Sequence, residues 1–216
     1  MNYLLSDREP KQALRYFEEI SQIPRGSGNE QAISQYLLDF SKEHGLEAYR
    51  DQALNVYVTK PGSKGCENLP PLMLQGHMDM VCEKNRGVEH DFTKDPIKLV
   101  VEGNILRADG TTLGADNGVA LAWMMALLTE QDLVHPPLEC VFTASEEVGL
   151  IGAHNLEFDR IQSRRLINLD CGPEGSFCCG SAGGQVTDIT LDMEMAPARG
   201  DKVSIQIRGL SGGHSG

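Results

Sequence analysis

The chain has 216 residues, a net charge of −12, and 40% hydrophobic against 23% charged residues. That length can bury a sizeable core in one large domain, or in one domain and part of another. An acidic chain has no electrostatic reason to bind nucleic acid or an anionic membrane, and no apolar run reaches the roughly 18 residues of a membrane span. The start MNYLLSDREP lacks the basic and apolar regions of a signal peptide. The six cysteines form no CxxC pair and no disulfide-like spacing, so reduced thiols in the cytoplasm are expected.

In chain order, a first helix is predicted from about Glu9 to Ile20, with Ser6 or Asp7 as cap and Pro10 in the first turn. The loop PRGSGN follows. A second helix runs from about Glu30 to His44, with Ile33, Tyr36, Leu37 and Phe40 at helical spacing and Gly45 as its stop. Two short strands, near 48–50 and 55–59, precede the turn PGSKG. Leu72 to Gln75 is apolar enough for a buried strand. The triplet EGN at 102–104 reads as a hairpin turn between 97–101 and 105–108. Gly118 to Leu128 is a well-marked helix, Leu138 to Thr143 a strand, and Leu166 to Leu169 another, with a short helix after Gly149. Strands alternating with helices, several apolar throughout, predict an α/β fold: a mainly parallel sheet with helices on both faces.

After Gly183 the texture changes. VTDITLDMEM and DKVSIQIRGL alternate apolar and polar residues, as half-buried antiparallel strands do. A boundary is therefore expected near residue 185, with 1–185 in one domain and 186–216 opening an antiparallel α+β domain. The ending LSGGHSG reads as the front part of a longer protein.

Four places share one design, an apolar strand followed by acids or histidine: GHMD (76–79), LGADNG (113–118), TASEEVG (143–149) and NLDCG (168–172). Ligands of open parallel sheets bind beyond the carboxyl ends of the strands. If these strands are neighbours, Asp79, Asp116, Glu146, Glu147 and Asp170 converge, and several partly buried carboxylates cannot all stay ionised without compensation. A divalent cation supplies it. Imidazole with carboxylate suits zinc, with manganese or cobalt also compatible, and this many carboxylates could serve two metals. His77 and Asp79, two apart in extended chain, face the same way. His77 would bind metal while Asp79 fixes its tautomer. Each place alone has an ordinary explanation: a surface His-x-Asp hydrogen bond, a helix N-cap at Asp116, a solvated turn at Glu146–Glu147, a turn residue at Asp170. It is the four together that point to a site.

GHMDMV, TTLGADNGVALA, ASEEVGLIGA and NLDCGPEG resemble the cocatalytic zinc peptidase family that includes carboxypeptidase G, peptidase T, aminoacylase and carnosinase. The wording looks most like that of its aminoacyl-histidine dipeptidases. The resemblance implies that His77 and Asp170 bind the first metal, that Asp116 bridges both, that Glu147 binds the second, that Asp79 orients His77, and that Glu146 is the general base. It implies a frequently cis peptide after Asp116. It also implies that His214 of the GGHSG stretch contacts the substrate, that the second domain is a lid, and that the protein dimerises through it. The family's last metal ligand, a histidine near the end of a longer chain, has no counterpart here. His44, His90, His135 and His154 are taken as surface or structural residues.

The implied activity is metal-dependent hydrolysis of dipeptides, Xaa-His and β-alanyl-histidine among them. The alternatives are a related hydrolase of N-acyl amino acids or other small peptides, and a non-catalytic metal-binding or dimerising segment. Cysteine chemistry at Cys82 or Cys171 lacks a histidine partner, and packing as small apolar residues is the simpler role for both.

Overall fold

The structure is a computed structural model that describes residues 3–171, 175–180, 183, 187–194, 196–197 and 199–207. The chain divides into two compact units, Met1–Asp170 and Cys171–Gly216.

In the first unit, helix α1 (Lys11–Ile20) buries Ala13, Tyr16, Phe17 and Ile20 on one face. It starts after Pro10 and not at the expected Ser6 or Asp7 cap; Pro10 itself occupies the cap position and has no N–H to satisfy. Helix α2 (Gln31–Glu43) buries Ile33, Leu37 and Phe40. Gly45 ends it at φ 68°. The amides of Leu46 and Gly45 reach back to the carbonyls of Ser41 (2.9 Å) and Lys42 (3.1 Å), the paired closure that needs a left-handed residue at this position.

Strands β1 (Glu47–Arg50), β2 (Val56–Lys60), β3 (Leu72–His77), β6 (Leu138–Thr143) and β7 (Leu166–Asn168) form a sheet in the order β1-β2-β6-β3-β7. Strands β4 (Leu99–Glu102) and β5 (Ile105–Ala108) form the expected hairpin, with Gly103 in its turn at φ 60°. The α/β class stands, but the sheet is mixed and not mainly parallel. The pairs β3–β6 and β3–β7 are parallel, whereas β1–β2 and β2–β6 are antiparallel. A connection as short as residues 51–55 can only fold the chain back on itself. Burial of Val56, Tyr57 and Val58 on both faces of β2 hid this, because a doubly covered stretch is apolar whichever way it runs.

Helix α3 (Ala115–Thr129) packs against α1 and β3. Its Leu121, Met124, Met125 and Leu128 join residues of α1, α2 and the sheet, among them Leu74, Cys140 and Phe142, in the main core. Gly76 makes the close approach of α3 to β3 possible. A Cβ there would lie 2.6 Å from Asn117 Oδ1 and 2.8 Å from the Ala120 methyl. The opposite face is covered more thinly. Tyr57, Val141 and Ile161 meet Tyr49, Met73 and Leu156, beneath the segment that follows the short helix α4 (Ile151–His154).

In the second unit, the described residues of 187–194 and 201–207 lie in no strand and are exposed. Alternation specifies which face of a strand turns inward, but a strand also needs a hydrogen-bonded partner. Among the described residues no helix is long and apolar enough to cross a membrane.

Candidate metal centre

The parallel strands β3, β6 and β7 run the same way, with His77 opposite Thr143 and Gln75 opposite Asn168. Their carboxyl ends therefore open on one edge. His77 closes β3 at 1% exposure, and Asp79 follows at 0%. The chain between them is fixed from both sides. The Met78 amide donates to the Thr143 carbonyl (2.7 Å) and the Met80 amide to the Arg25 carbonyl (3.1 Å).

The two ring nitrogens of His77 face different surroundings. Nδ1 lies 3.1 Å from the Asp79 carbonyl and 3.3 Å from Asp79 Oδ1. Nε2 lies 3.1 Å from Asp116 Oδ1, 3.8 Å from Asp170 Oδ2 and 3.9 Å from Glu146 Oε2. A proton on Nδ1 is thus held by Asp79, which leaves Nε2 as the donor atom aimed at three carboxylates. Burial works against the charged imidazole, yet Asp79, Glu146 and Asp170 outweigh it and raise His77 to about 9. This is the electrostatic mark of a place that wants a cation.

Asp79 has further duties. It accepts from Ser27 Oγ (2.7 Å) and from the amides of Glu146 (2.9 Å) and Glu147 (3.2 Å). Burial opposes its ionisation, but the bonds from His77, the Glu146 amide and Ser27 hold its carboxyl below the usual range. One side chain thereby orients the imidazole and the loop that carries both glutamates. Glu146 itself is raised above the ordinary carboxylate, first by burial and then by Asp170, Glu147 and Asp79, against the pull of His77.

Asp116 enters through an irregular start of α3. Gly114 sits at φ 71°, Asp116 and Asn117 depart from helical angles, and the Asp116–Asn117 peptide is cis, as the resemblance implied. The Asn117 side chain joins two strand ends. Its Oδ1 accepts from the His77 amide (3.3 Å) and its Nδ2 donates to the Leu169 carbonyl (3.3 Å).

His77, Asp116 and Asp170 each offer a ligand atom within 4.8 Å of the others, and so do His77, Glu146 and Glu147. Imidazole and carboxylate oxygens at this spacing fit zinc or another small divalent cation. Asp116 and Glu147, expected to share a second metal, do not occur together in such a group among the described residues. His214 lies outside the described residues. His135 is buried and its amide donates to Ser63 Oγ, and His154 ends α4. Cys82 and Cys171 are exposed and not packed as small apolar residues.

Sequence reasoning missed Arg25, Ser27 and Glu30, all on the loop between α1 and α2. Arg25 is 2% exposed and donates through Nη1 to the carbonyls of Met78 (2.9 Å) and Asp79 (3.3 Å), and through Nη2 to that of Gly114 (2.5 Å). Burial lowers its guanidinium to about 10 against the pull of Asp79, so it remains charged at neutral pH. Glu30, also 2% exposed, accepts from the amide (3.0 Å) and hydroxyl (2.6 Å) of Ser145. The only signal was a loop carrying charged and glycine residues together.

An α/β domain whose parallel strands deliver one buried histidine and four carboxylates to a common edge has the build of a metallohydrolase. No protein-family profile matches the chain. It is, however, 41% identical over 214 residues to the cytosol non-specific dipeptidase of Escherichia coli, covering 98% of this chain and 44% of that protein. The structure of an aminoacylhistidine dipeptidase from Vibrio alginolyticus matches with a TM-score of 0.77 at 39% identity, over 79% of this chain and 35% of that one. A tripeptidase from Staphylococcus aureus matches with a TM-score of 0.64 at 28% identity, over 76% of this chain and 44% of that one. The chain belongs to the metallopeptidase family of these dipeptidases and tripeptidases, and it spans less than half the length of these relatives.

Proposed function

We propose that the protein containing this chain is a metal-dependent dipeptidase that cleaves Xaa-His dipeptides, β-alanyl-histidine among them. The observation that carries this reading is the two-sided environment of His77, with Nδ1 on Asp79 and Nε2 at 3.1 to 3.9 Å from Asp116, Asp170 and Glu146. The donor set fits zinc, with manganese and cobalt as compatible substitutes. His77 and Asp170 would hold a first metal, Glu147 a second, and Asp116 both.

When bound, the metal would polarise the scissile carbonyl and lower the pKa of water toward about 7. The remaining work falls to side chains. Asp79 keeps the Nδ1 proton of His77 and so presents Nε2 in one fixed orientation. Glu146 takes the proton from the attacking water and returns it to the departing amine. Its raised affinity for a proton suits a group that must carry one between two halves of a reaction. His214, in this reading, meets the substrate carboxylate or the developing oxyanion, from a lid domain through which two copies pair. The relative named for the cytosol, together with six cysteines without disulfide spacing, supports a cytoplasmic setting.

The test is histidine release from β-alanyl-histidine by the full-length protein, stripped with chelator and then given zinc back. Zinc-restored release is expected. Folded, zinc-loaded protein that releases no histidine would contradict the Xaa-His assignment, and activity on N-acyl amino acids instead would move the specificity to the acylase branch.

A further inference from the structure

Arg25 is an unusual use of a buried charge. Its three acceptors are all main-chain carbonyls, two at the exit of β3 and one at the entry to α3. Burying a guanidinium is costly, and an apolar side chain could fill the same space more cheaply. What an apolar group cannot do is hold two segments at a set distance. The planar fork of arginine can, because its donors point in fixed directions. The surroundings are cut to fit it. A Cβ on Gly114 or on Gly118 would lie 2.6 Å from Arg25 Nη2, so the turn carrying Asp116 is built around the guanidinium on both sides.

The same loop reaches the rest of the cluster. The Arg25 carbonyl accepts from the Met80 amide (3.1 Å), Ser27 Oγ donates to Asp79 (2.7 Å), and Glu30 holds Ser145, the residue before Glu146. Two strand ends and the entry to α3, far apart in sequence, are thus tied to the six-residue segment 25–30.

We infer that Arg25 is a positioning residue that sets the spacing between His77–Asp79 and Asp116, with Ser27 and Glu30 extending the same brace to Asp79 and to the glutamate loop. The inference rests on the proposed metal site and adds the part that holds it in shape. It also makes a prediction opposite in sign to simple electrostatics. A cationic side chain beside the cluster repels a metal ion, so if charge alone mattered its removal would tighten binding. If the fork sets ligand geometry, its removal weakens binding.

The experiment measures zinc affinity by chelator competition, and kcat and KM at saturating zinc, in the full-length protein and its Arg25→Met, Arg25→Lys and Ser27→Ala variants. Circular dichroism and elution volume report on folding. Arg25→Met and Arg25→Lys are each expected to weaken zinc binding by about 10–100-fold, the usual consequence of removing a group that orients ligands, with kcat falling more than KM changes. Lysine keeps the charge without the fork, so it should not rescue. Ser27→Ala should weaken zinc in the same direction by less. Should Arg25→Met fail to fold, the lysine and Ser27 variants carry the test. Folded variants whose melting temperature falls while zinc affinity and kcat stay at wild-type values would overturn the inference. So would tighter zinc binding by Arg25→Met. Wild-type protein that binds no zinc would instead overturn the metal-site reading on which the inference stands.

Discussion

Asp51 and Asp79 are both buried carboxylates just past the end of a strand, and they are satisfied in different ways. Asp51, 6% exposed, accepts from the Asn55 amide (2.9 Å), Asn55 Nδ2 (2.8 Å) and the Tyr57 hydroxyl (2.8 Å). Every one of those donors is neutral. Glu139, 8% exposed, is met likewise by the amides of Gln162 (2.9 Å) and Ser163 (2.8 Å). Asp79 instead shares a basic ring with three other carboxylates and holds the loop that bears two of the cluster's acids. Like charges within 4.8 Å, as in these groups, repel by roughly 3–4 kcal/mol per pair at an effective dielectric near 20. The lesson is that a buried acid does not mark a site. Several acids converging on one imidazole do, because hydrogen bonds from neutral groups do not remove their mutual repulsion and a cation does.

The sharpest way to break that contrast is to remove the proposed base. Glu146→Gln is expected to keep bound zinc while lowering turnover by about 10²–10⁴-fold, the usual contribution of a general base. Steady-state rates alongside zinc content decide it, and wild-type turnover would give the base role to another group. Asp79→Asn comes next. It should cost about 10–100-fold in zinc affinity or activity, since the amide cannot hold the Nδ1 proton of His77 as the carboxylate does. The control for both is Asp51→Ala. Stranding its buried donors at about 1–3 kcal/mol each should lower stability by about 3 kcal/mol. Zinc affinity per folded molecule should not change. A urea titration paired with a zinc titration separates the two effects. If Asp51→Ala weakened zinc as much as Asp79→Asn does, the distinction between the two carboxylates would collapse.

The smallest effect concerns Glu19, a third arrangement, in which a carboxylate is compensated by its own ring of donors. Burial opposes its ionisation, but hydrogen bonds from Tyr3, Arg15 and Tyr36 hold it below its ordinary 4.5. A depressed folded pKa gives stability that is complete above the unfolded value and lost as pH falls through the folded one. Glu19→Gln should therefore flatten the acid limb of the melting temperature below about pH 4.5 and leave the site alone. An unchanged acid limb would mean that other carboxylates govern it.

Much of the site was legible because strand ends are legible. GHMD, TASEEVG and NLDCG each follow an apolar run, and the positions of His77, Asp79, Glu146 and Asp170 come from that pattern together with one rule about parallel sheets. The direction of β1 and β2 was not legible, since it depends on pairing and not on which residues are apolar. Alternation at 187–194 and 201–207 suggests strands where the described residues form none, because it names a face without naming a partner. Arg25 escaped for a different reason. Its partners are backbone carbonyls of Met78, Asp79 and Gly114, and a bond to a carbonyl leaves no trace in the identity of the residue that accepts it.

The most direct test of the central claim is anomalous diffraction at the zinc absorption edge from crystals of the zinc-loaded full-length protein. A peak bounded by His77 Nε2, Asp116 and Asp170 is the predicted result. Zinc bound elsewhere, with that edge of the sheet left without a peak, would contradict the account.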